Sequence, residues 1–228
     1  MWTDYLPFFE DYQTLTIDLP GSGDTEVMEA SIARMAKIVN AVLLAEGIKK
    51  CVFIGHSMGG YVALAFAKLY PEKLLGYCLF HAQPYADSAE KREGRNKAID
   101  FVNKYGNGKY FKGLIPMLFA PDFIKNNENI LIEIVDAGSN MTSKGVIYQL
   151  QAMRDRPDNQ MVLVNSKVPV CFIIGKEDLA IPAENSLNQT FLPQVSDIYI
   201  LPNVGHMGMY EATQETVRML KDFIRFCE

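Results

Sequence analysis

One serine in a glycine-rich turn is the residue of this 228-residue sequence best suited to chemistry. The segment Gly55-His56-Ser57-Met58-Gly59-Gly60 contains the pattern G-x-S-x-G between an apolar run and a stretch with helical spacing. An abrupt strand-to-helix turn forces its serine toward positive φ and exposes the hydroxyl above the sheet, and its flanking residues must be glycine because any Cβ there would collide across the turn. The backbone N–H of Met58 falls at the helix N-terminus, where it can stabilise an oxyanion. The turn predicts Ser57 as a nucleophile; a serine that only caps the helix is the alternative.

A serine nucleophile needs a base, and the sequence has three histidines. His56 is beside the serine on a turn that points neighbouring side chains apart, and His81 ends an apolar run, so both are predicted to be structural. His206 lies in the loop Leu201-Pro202-Asn203-Val204-Gly205-His206-Met207-Gly208, between the last predicted strand and the last predicted helix. The base is therefore predicted to be His206.

The orienting acid has a comparable place in the sequence. Asp178 lies in Gly175-Lys176-Glu177-Asp178-Leu179-Ala180-Ile181-Pro182, directly after an apolar run that ends at Ile174. Taken alone, Asp178 could be a helix N-cap and His206 a loop residue bonded to backbone. Together, a serine, an aspartate and a histidine in this chain order, each just after a strand, predict a catalytic triad of Ser57, Asp178 and His206.

Short β-branched or aromatic runs alternate with stretches whose apolar residues are three and four apart, which predicts parallel βαβ units. The predicted strands are Gln13 to Leu19, Cys51 to Gly55, Leu74 to His81, Val168 to Gly175 and Asp197 to Leu201. The predicted helices outside the middle of the chain are an apolar stripe from Met28 to Leu43 ending near Gly47, Met58 to Leu69, and Glu211 to Phe226. The fold class is therefore α/β, with a mostly parallel, doubly wound sheet.

The middle of the chain has no strand-like run but several helical stretches. They are Ala86 to Tyr105, Tyr110 to Phe119, Asp122 to Val135 and Ser143 to Arg154, separated by turn residues. Residues 83–165 are therefore predicted to form a helical cap inserted into a core domain made of residues 1–82 and 166–228. Many of the aromatic and methionine residues here must pack the cap, and any that face Ser57 would favour a small hydrophobic substrate.

Composition excludes several function classes. The 22 basic and 27 acidic residues give a net charge of −5, and no Lys/Arg run offers a footprint for nucleic acid or an anionic membrane. The start has no signal-peptide pattern and no apolar run is long enough to span a membrane. Four widely spaced cysteines predict free thiols and a reducing, cytoplasmic location. The turn at Gly21-Ser22-Gly23 lacks the third glycine of a dinucleotide fingerprint, so neither a cofactor nor a metal is expected.

Four pieces of the sequence resemble the α/β-hydrolase fold family, in particular its members with a helical cap after the sixth strand. They are Asp18-Leu19-Pro20-Gly21-Ser22-Gly23, GHSMGG at 55–60, GKEDLAIP at 175–182, and NVGH at 203–206. The resemblance implies an esterase-like hydrolase that acts through an acyl-enzyme on a small-molecule substrate. Lactone, thioester, carbon–carbon and perhydrolysis chemistry use the same triad, and a non-catalytic or weakly catalytic ligand-binding homologue is the second hypothesis.

The sequence departs from this family at its start. Members of the family carry, upstream of the region matching Trp2, a strand ending in a His-Gly turn that supplies a second oxyanion N–H, and about 25 to 30 residues of this kind are not found here. We expect reduced activity from a missing donor, since one such donor contributes about 10²- to 10³-fold in rate. We also expect the strand Gln13 to Leu19 to lack a neighbour, which would expose an edge and an apolar patch and favour a homodimer.

Overall fold

The computed structural model describes residues 2–27 and 29–228, and its centre is a parallel β-sheet. In the described part of the chain the strands lie in the order β1-β2-β3-β4, which are Cys51–His56, Leu74–Phe80, Val170–Gly175 and Ser196–Leu201. All three neighbouring pairs are parallel. These four strands agree with the sequence prediction to within two residues, and the α/β fold class with a parallel sheet is confirmed.

Burial along the strands explains their apolar sequences. All six residues of β3 are buried, as expected for a strand in the middle of a parallel sheet covered on both faces. On β4 the isoleucines Ile198 and Ile200 remain about two-fifths exposed because this strand lies at the edge. The continuous apolar run of β3 therefore reflects its central position, and the mixed run of β4 reflects its exposed position.

Eleven helices occur among the described residues, and most of them connect or cover the strands. They are α1 Ile32–Ala45, α2 Met58–Leu69, α3 Ala89–Tyr105, α4 Asn107–Leu114, α5 Pro121–Asn126, α6 Glu128–Ser139, α7 Ser143–Arg154, α8 Gln160–Val164, α9 Ala183–Gln189, α10 Gly208–Glu211 and α11 Thr213–Cys227. Short 3₁₀ helices cover Leu6–Phe9, Pro71–Lys73 and Ile115–Leu118. None of the helices in residues 2–27 and 29–228 combines the length and the apolar character that a membrane crossing requires.

The two faces of the sheet support separate cores. One core contains the apolar stripe of α1 and most of α2, packed on Tyr77, Leu79 and Phe172. The other contains α11 and the N-terminal 3₁₀ helix, packed on alternate strand residues such as Phe80 and Ile173. Because successive strand side chains point to opposite faces, the sheet is the middle of three layers.

Residues 83–165 contain α3 to α8 and no strand, in keeping with a helical insertion between β2 and β3. The predicted helix from Asp122 to Val135 is broken into α5 and α6 at Asn127, whose φ of −137° is not helical. The side-chain amide of Asn127 donates to the carbonyl of Phe123 and so caps the end of α5. The short helices α8 and α9 were not predicted. The division into a core domain and a cap domain stays a prediction, and we call residues 83–165 the insertion.

The predicted strand Gln13 to Leu19 is wrong, because this segment has no strand assignment. A strand is defined by ladder hydrogen bonds to a neighbour, and β1, at one edge of the sheet, pairs only with β2 in the described part of the chain. Local sequence preference alone does not make a strand.

The exposed apolar patch predicted around this segment is only partly present. Leu15 is 43% exposed, but Ile17 packs against the core. The α1 residues Met35 and Val39 are buried against the rest of the first core, while Met28 lies outside the described residues. The buried residues of the α1 stripe are therefore covered although Gln13 to Leu19 forms no strand.

The burial difference between β3 and β4 predicts different costs for one substitution. Ile173→Ala empties a fully buried site and should lower the free energy of unfolding by about 2–5 kcal/mol. Ile198→Ala, the matched control on β4, should cost less than about 1 kcal/mol because the side chain is already 40% exposed. Urea denaturation of both variants measures the difference; equal losses would contradict the central position of β3.

Candidate active site

Ser57 occupies the turn between β1 and α2 in a strained backbone conformation. Its φ is 51° and its ψ is −116°, a region that side-chain-bearing residues rarely adopt. The N–H of Ser57 donates to the carbonyl of Phe80 at 2.9 Å, so the β1–β2 ladder continues into the turn. Backbone strain held by such bonding is typical of functional sites.

Two glycines make this turn sterically possible. A methyl group on Gly55 would lie 2.4 Å from the carbonyl oxygen of Gly59, and one on Gly60 would lie 2.2 Å from the Cβ of Ala82. A methyl group on Gly59 would meet nothing within 4 Å. The expectation that a Cβ would collide at both flanking positions of the pattern therefore holds for Gly55 and is wrong for Gly59. The second position at which a Cβ would collide is Gly60.

The structure brings the three predicted triad residues together in one hydrogen-bonded chain. Nε2 of His206 lies 2.8 Å from Oγ of Ser57, and its Nδ1 lies 2.7 Å from Oδ2 of Asp178. His206 and Asp178 are both 4% exposed. This arrangement has the geometry of a nucleophile, a base and an orienting acid.

The Asp178 carboxylate is held at both oxygens. Oδ1 accepts hydrogen bonds from the backbone N–H groups of Ala180 and Ile181, at 2.9 and 2.8 Å, while Oδ2 faces His206. Burial alone would raise the pKa of this carboxyl, but hydrogen bonds with His206 and His81 outweigh burial and hold the pKa below its usual value. Asp178 is therefore ionised at neutral pH and fixed in orientation.

The other two histidines, predicted to be structural, lie against the base. The ring centroids of His56 and His81 are 5.0 and 5.7 Å from that of His206. Nε2 of His56 donates to the backbone carbonyl of His206 at 2.7 Å. Nδ1 of His81 lies 3.5 Å from Oδ2 of Asp178 and 3.3 Å from the backbone nitrogen of Gly175. Burial, the largest cause, lowers the pKa of both rings, so they are neutral neighbours of the triad.

Met58 is placed as an oxyanion donor requires. It is the first residue of α2, so its N–H has no carbonyl partner within the helix. It directly follows Ser57, at the positive end of the helix dipole. Its donor role stays a prediction.

We call residues 201–208, which carry His206, the base loop. Sequence reasoning did not identify the contacts that His56 and Glu211 make with this loop. The carboxylate of Glu211 accepts from the backbone N–H groups of Gly205 and Met207, on either side of His206. Both contacts depend on how the loop folds back, and no motif in the sequence indicates them.

A cavity of about 610 Å³ lies away from the triad. It lies between residues 21–27 and residues 137–144, and Asp24, Glu26 and Lys144 are among its lining residues. No cluster of three or more metal-ligating side chains occurs within residues 2–27 and 29–228.

The lowered pKa of Asp178 predicts how stability depends on pH. A carboxyl whose pKa is lower in the folded state stabilises the protein above its unfolded pKa, and this contribution is lost as pH falls through that value toward the folded pKa. We expect the free energy of unfolding of the wild type to exceed that of Asp178→Asn by an amount that shrinks between pH 5 and 3. Urea denaturation across this range measures it; a constant difference would show that the carboxyl is not stabilised by its partners.

Solved structures of known proteins superimpose on most of this chain. A thermophilic esterase from Thermogutta terrifontis has a TM-score of 0.87 at 26% identity and covers 92% of this chain and 78% of its own. An enol-lactonase from Burkholderia xenovorans has a TM-score of 0.90 at 19% identity, with 98% and 85% covered. The second likeness shows the fold alone.

Relatives found by sequence also match most of this chain. A 2-hydroxy-6-oxononadienedioate/2-hydroxy-6-oxononatrienedioate hydrolase from Burkholderia vietnamiensis is 24% identical over 94% of this chain and 77% of its own length. The model of one family, described as the alpha/beta hydrolase family, matches residues 1–219. Together with the parallel sheet and the turn at Ser57, this match shows that the chain belongs to the alpha/beta hydrolase family.

Proposed function

We propose that this chain is a serine hydrolase that cleaves a small, hydrophobic carboxylic ester or a related acyl substrate. Ser57 is the nucleophile, His206 the general base and acid, Asp178 the orienting carboxylate, and the N–H of Met58 the oxyanion donor. The observation that carries the proposal is the unbroken path from Oδ2 of Asp178 through His206 to Oγ of Ser57, with distances of 2.7 and 2.8 Å.

The triad geometry supports acyl transfer in two steps. Oγ of Ser57 bonds to the carbonyl carbon of the substrate while its proton passes to Nε2 of His206. His206 returns this proton to the leaving alkoxide, which departs as an alcohol. A water molecule then attacks the acyl-enzyme, loses its proton to His206, and releases the acid; Ser57 recovers its proton.

The ionised Asp178 makes this proton transfer favourable. Its carboxylate accepts from Nδ1–H of His206, which leaves Nε2 free to accept the serine proton. The imidazolium that forms is then stabilised by the adjacent negative charge. Nε2 of His56 cannot act as a base, because its N–H donates to the carbonyl of His206.

Apolar groups beside the triad support a hydrophobic substrate. The carbonyl of Leu118 accepts from the N–H of His206 at 2.7 Å, which brings this partly buried apolar residue next to the base. Leu179, the neighbour of Asp178, is 73% exposed. The 26% identical protein named as an esterase supports ester cleavage, and the relative named as a 2-hydroxy-6-oxononadienedioate/2-hydroxy-6-oxononatrienedioate hydrolase supports hydrolysis in general.

A fluorophosphonate probe tests the nucleophile, since Oγ of Ser57 displaces fluoride from phosphorus only when a base removes its proton. The wild type should be labelled on the peptide that contains Ser57, and Ser57→Ala should abolish both labelling and hydrolysis of p-nitrophenyl acetate. Ser143→Ala, an exposed serine at the start of α7, serves as the matched control and should behave as the wild type. Labelling that persists in the Ser57→Ala variant would show that Ser57 is not the nucleophile.

Replacing the acid by its amide tests the base. Asp178→Asn keeps the size of the side chain but favours the wrong histidine tautomer, so kcat should fall by about 10⁴-fold. Asp100→Asn, at an exposed position on α3, removes the same charge and should leave kcat unchanged. Steady-state hydrolysis of p-nitrophenyl acetate measures both variants, and a loss below tenfold would argue against Asp178 as the orienting acid.

A further inference from the structure

The carboxylate of Glu211, at the end of α10, lies between the loop that carries His206 and the insertion. Oε2 accepts from the N–H of Ala120 at 2.7 Å and from the N–H of Gly205 at 3.0 Å. Oε1 accepts from the N–H of Met207 at 3.0 Å. One side chain therefore bonds the backbone on both sides of the base and a residue of the insertion.

The backbone of His206 itself is fixed by two more hydrogen bonds. Its N–H donates to the carbonyl of Leu118 at 2.7 Å, and its carbonyl accepts from Nε2 of His56 at 2.7 Å. The N–H groups of Gly205, His206 and Met207 thus all donate to groups outside the loop. Three consecutive bonded N–H groups leave this loop little freedom to move the imidazole relative to Ser57.

The insertion and the base loop also meet backbone to backbone. A methyl group on Gly205 would lie 2.7 Å from the nitrogen of Ala120 and 2.8 Å from the carbonyl oxygen of Leu118. Any side chain at position 205 would collide here, so the two backbones approach each other directly. The Glu211 carboxylate and the Leu118 carbonyl supply hydrogen bonds across this contact.

A role limited to helix capping does not explain these contacts. Glu211 is the last residue of the four-residue helix α10, and its side chain bonds to residues before that helix and to Ala120, 91 positions away in sequence. Burial, the largest cause, raises the pKa of this carboxyl, while its three N–H donors act in the opposite direction. A half-buried carboxylate that accepts three charge-assisted bonds is a strong constraint on the backbone that donates them.

We propose that Glu211 is a positioning residue for His206, which holds the base at its distance from Ser57 and ties that position to the Leu118–Ala120 segment of the insertion. The proposal rests on the proposed function, because it assigns Glu211 to the proton transfer between Ser57 and His206. Glu211 does not touch the reacting atoms.

Glu211→Gln is the central test. The amide has one acceptor oxygen where the carboxylate has two, so at least one of the three N–H groups must face an NH₂ donor. Displacement of a catalytic group by about 1 Å costs up to about 10²-fold. We expect the maximal rate of fluorophosphonate labelling at Ser57 to fall about 10- to 100-fold, while the probe concentration for half-maximal rate is unchanged.

Two comparisons distinguish a positioning role of Glu211 from the effects of losing its charge or of unfolding the protein. Glu215→Gln, on an exposed residue in the first turn of α11, removes the same charge and should label as the wild type. Hydrogen exchange followed by mass spectrometry should show faster exchange in peptides covering residues 118–122 and 203–209 for Glu211→Gln only. Circular dichroism identifies the variants that remain folded at the assay temperature; if Glu211→Gln does not, Glu211→Asp, which keeps the charge but is one methylene shorter, takes its place.

The outcomes distinguish this proposal from the one on which it depends. A wild type that is not labelled at Ser57 overturns the proposed function and the positioning role with it. A labelled wild type whose Glu211→Gln variant keeps the full labelling rate, or whose exchange is unchanged, overturns the positioning role alone. Unfolding of both Glu211 variants would also overturn it, since Glu211 would then serve stability.

Discussion

The site depends on hydrogen bonding that continues past the ends of parallel strands. The N–H of Ser57 donates to Phe80, that of His81 to Ile173, and that of Lys176 to Leu201. Each of these bonds extends a strand pairing by one residue beyond the sheet. Since all four strands run in the same direction, the turns after β1, β3 and β4 lie at the carboxyl end of the sheet. The serine, acid and base meet there although they are far apart in sequence.

The close packing of glycines at this edge follows from the same constraint. A methyl group on Gly175 would lie 2.2 Å from the carbonyl oxygen of Gly205. The loop that carries Asp178 (residues 175–182) and the loop that carries His206 therefore approach each other through their backbones. The N–H of Glu177 donates to the carbonyl of Val204 across this contact, at 2.9 Å. Main-chain contacts between the two loops therefore help to set the distance between Asp178 and His206.

The four strands, and the position of Ser57, Asp178 and His206 at their carboxyl ends, could be predicted from the sequence because each signal is local. Each consists of an apolar run followed by a turn that contains one reactive residue. The segment from Gln13 to Leu19 has an equally local strand signal and still forms no strand, because pairing requires a neighbour that propensity does not supply. His56 contacts His206 from 150 positions away, and Glu211 contacts Ala120 of the insertion from 91 positions away. The bonds of Glu211 to Gly205 and Met207 reach back around a turn. A single sequence carries no signal for these contacts.

The backbone contact between Gly205 and the Leu118–Ala120 segment has a consequence for protein engineering. The insertion is the natural target for libraries intended to change which substrate is accepted, since it lies beside the base. Residues 118–120, however, also provide an acceptor for His206 and a donor for Glu211. Substitutions that shift the backbone at these three positions, or a chimera that takes its insertion from a relative, would therefore change turnover and selectivity together.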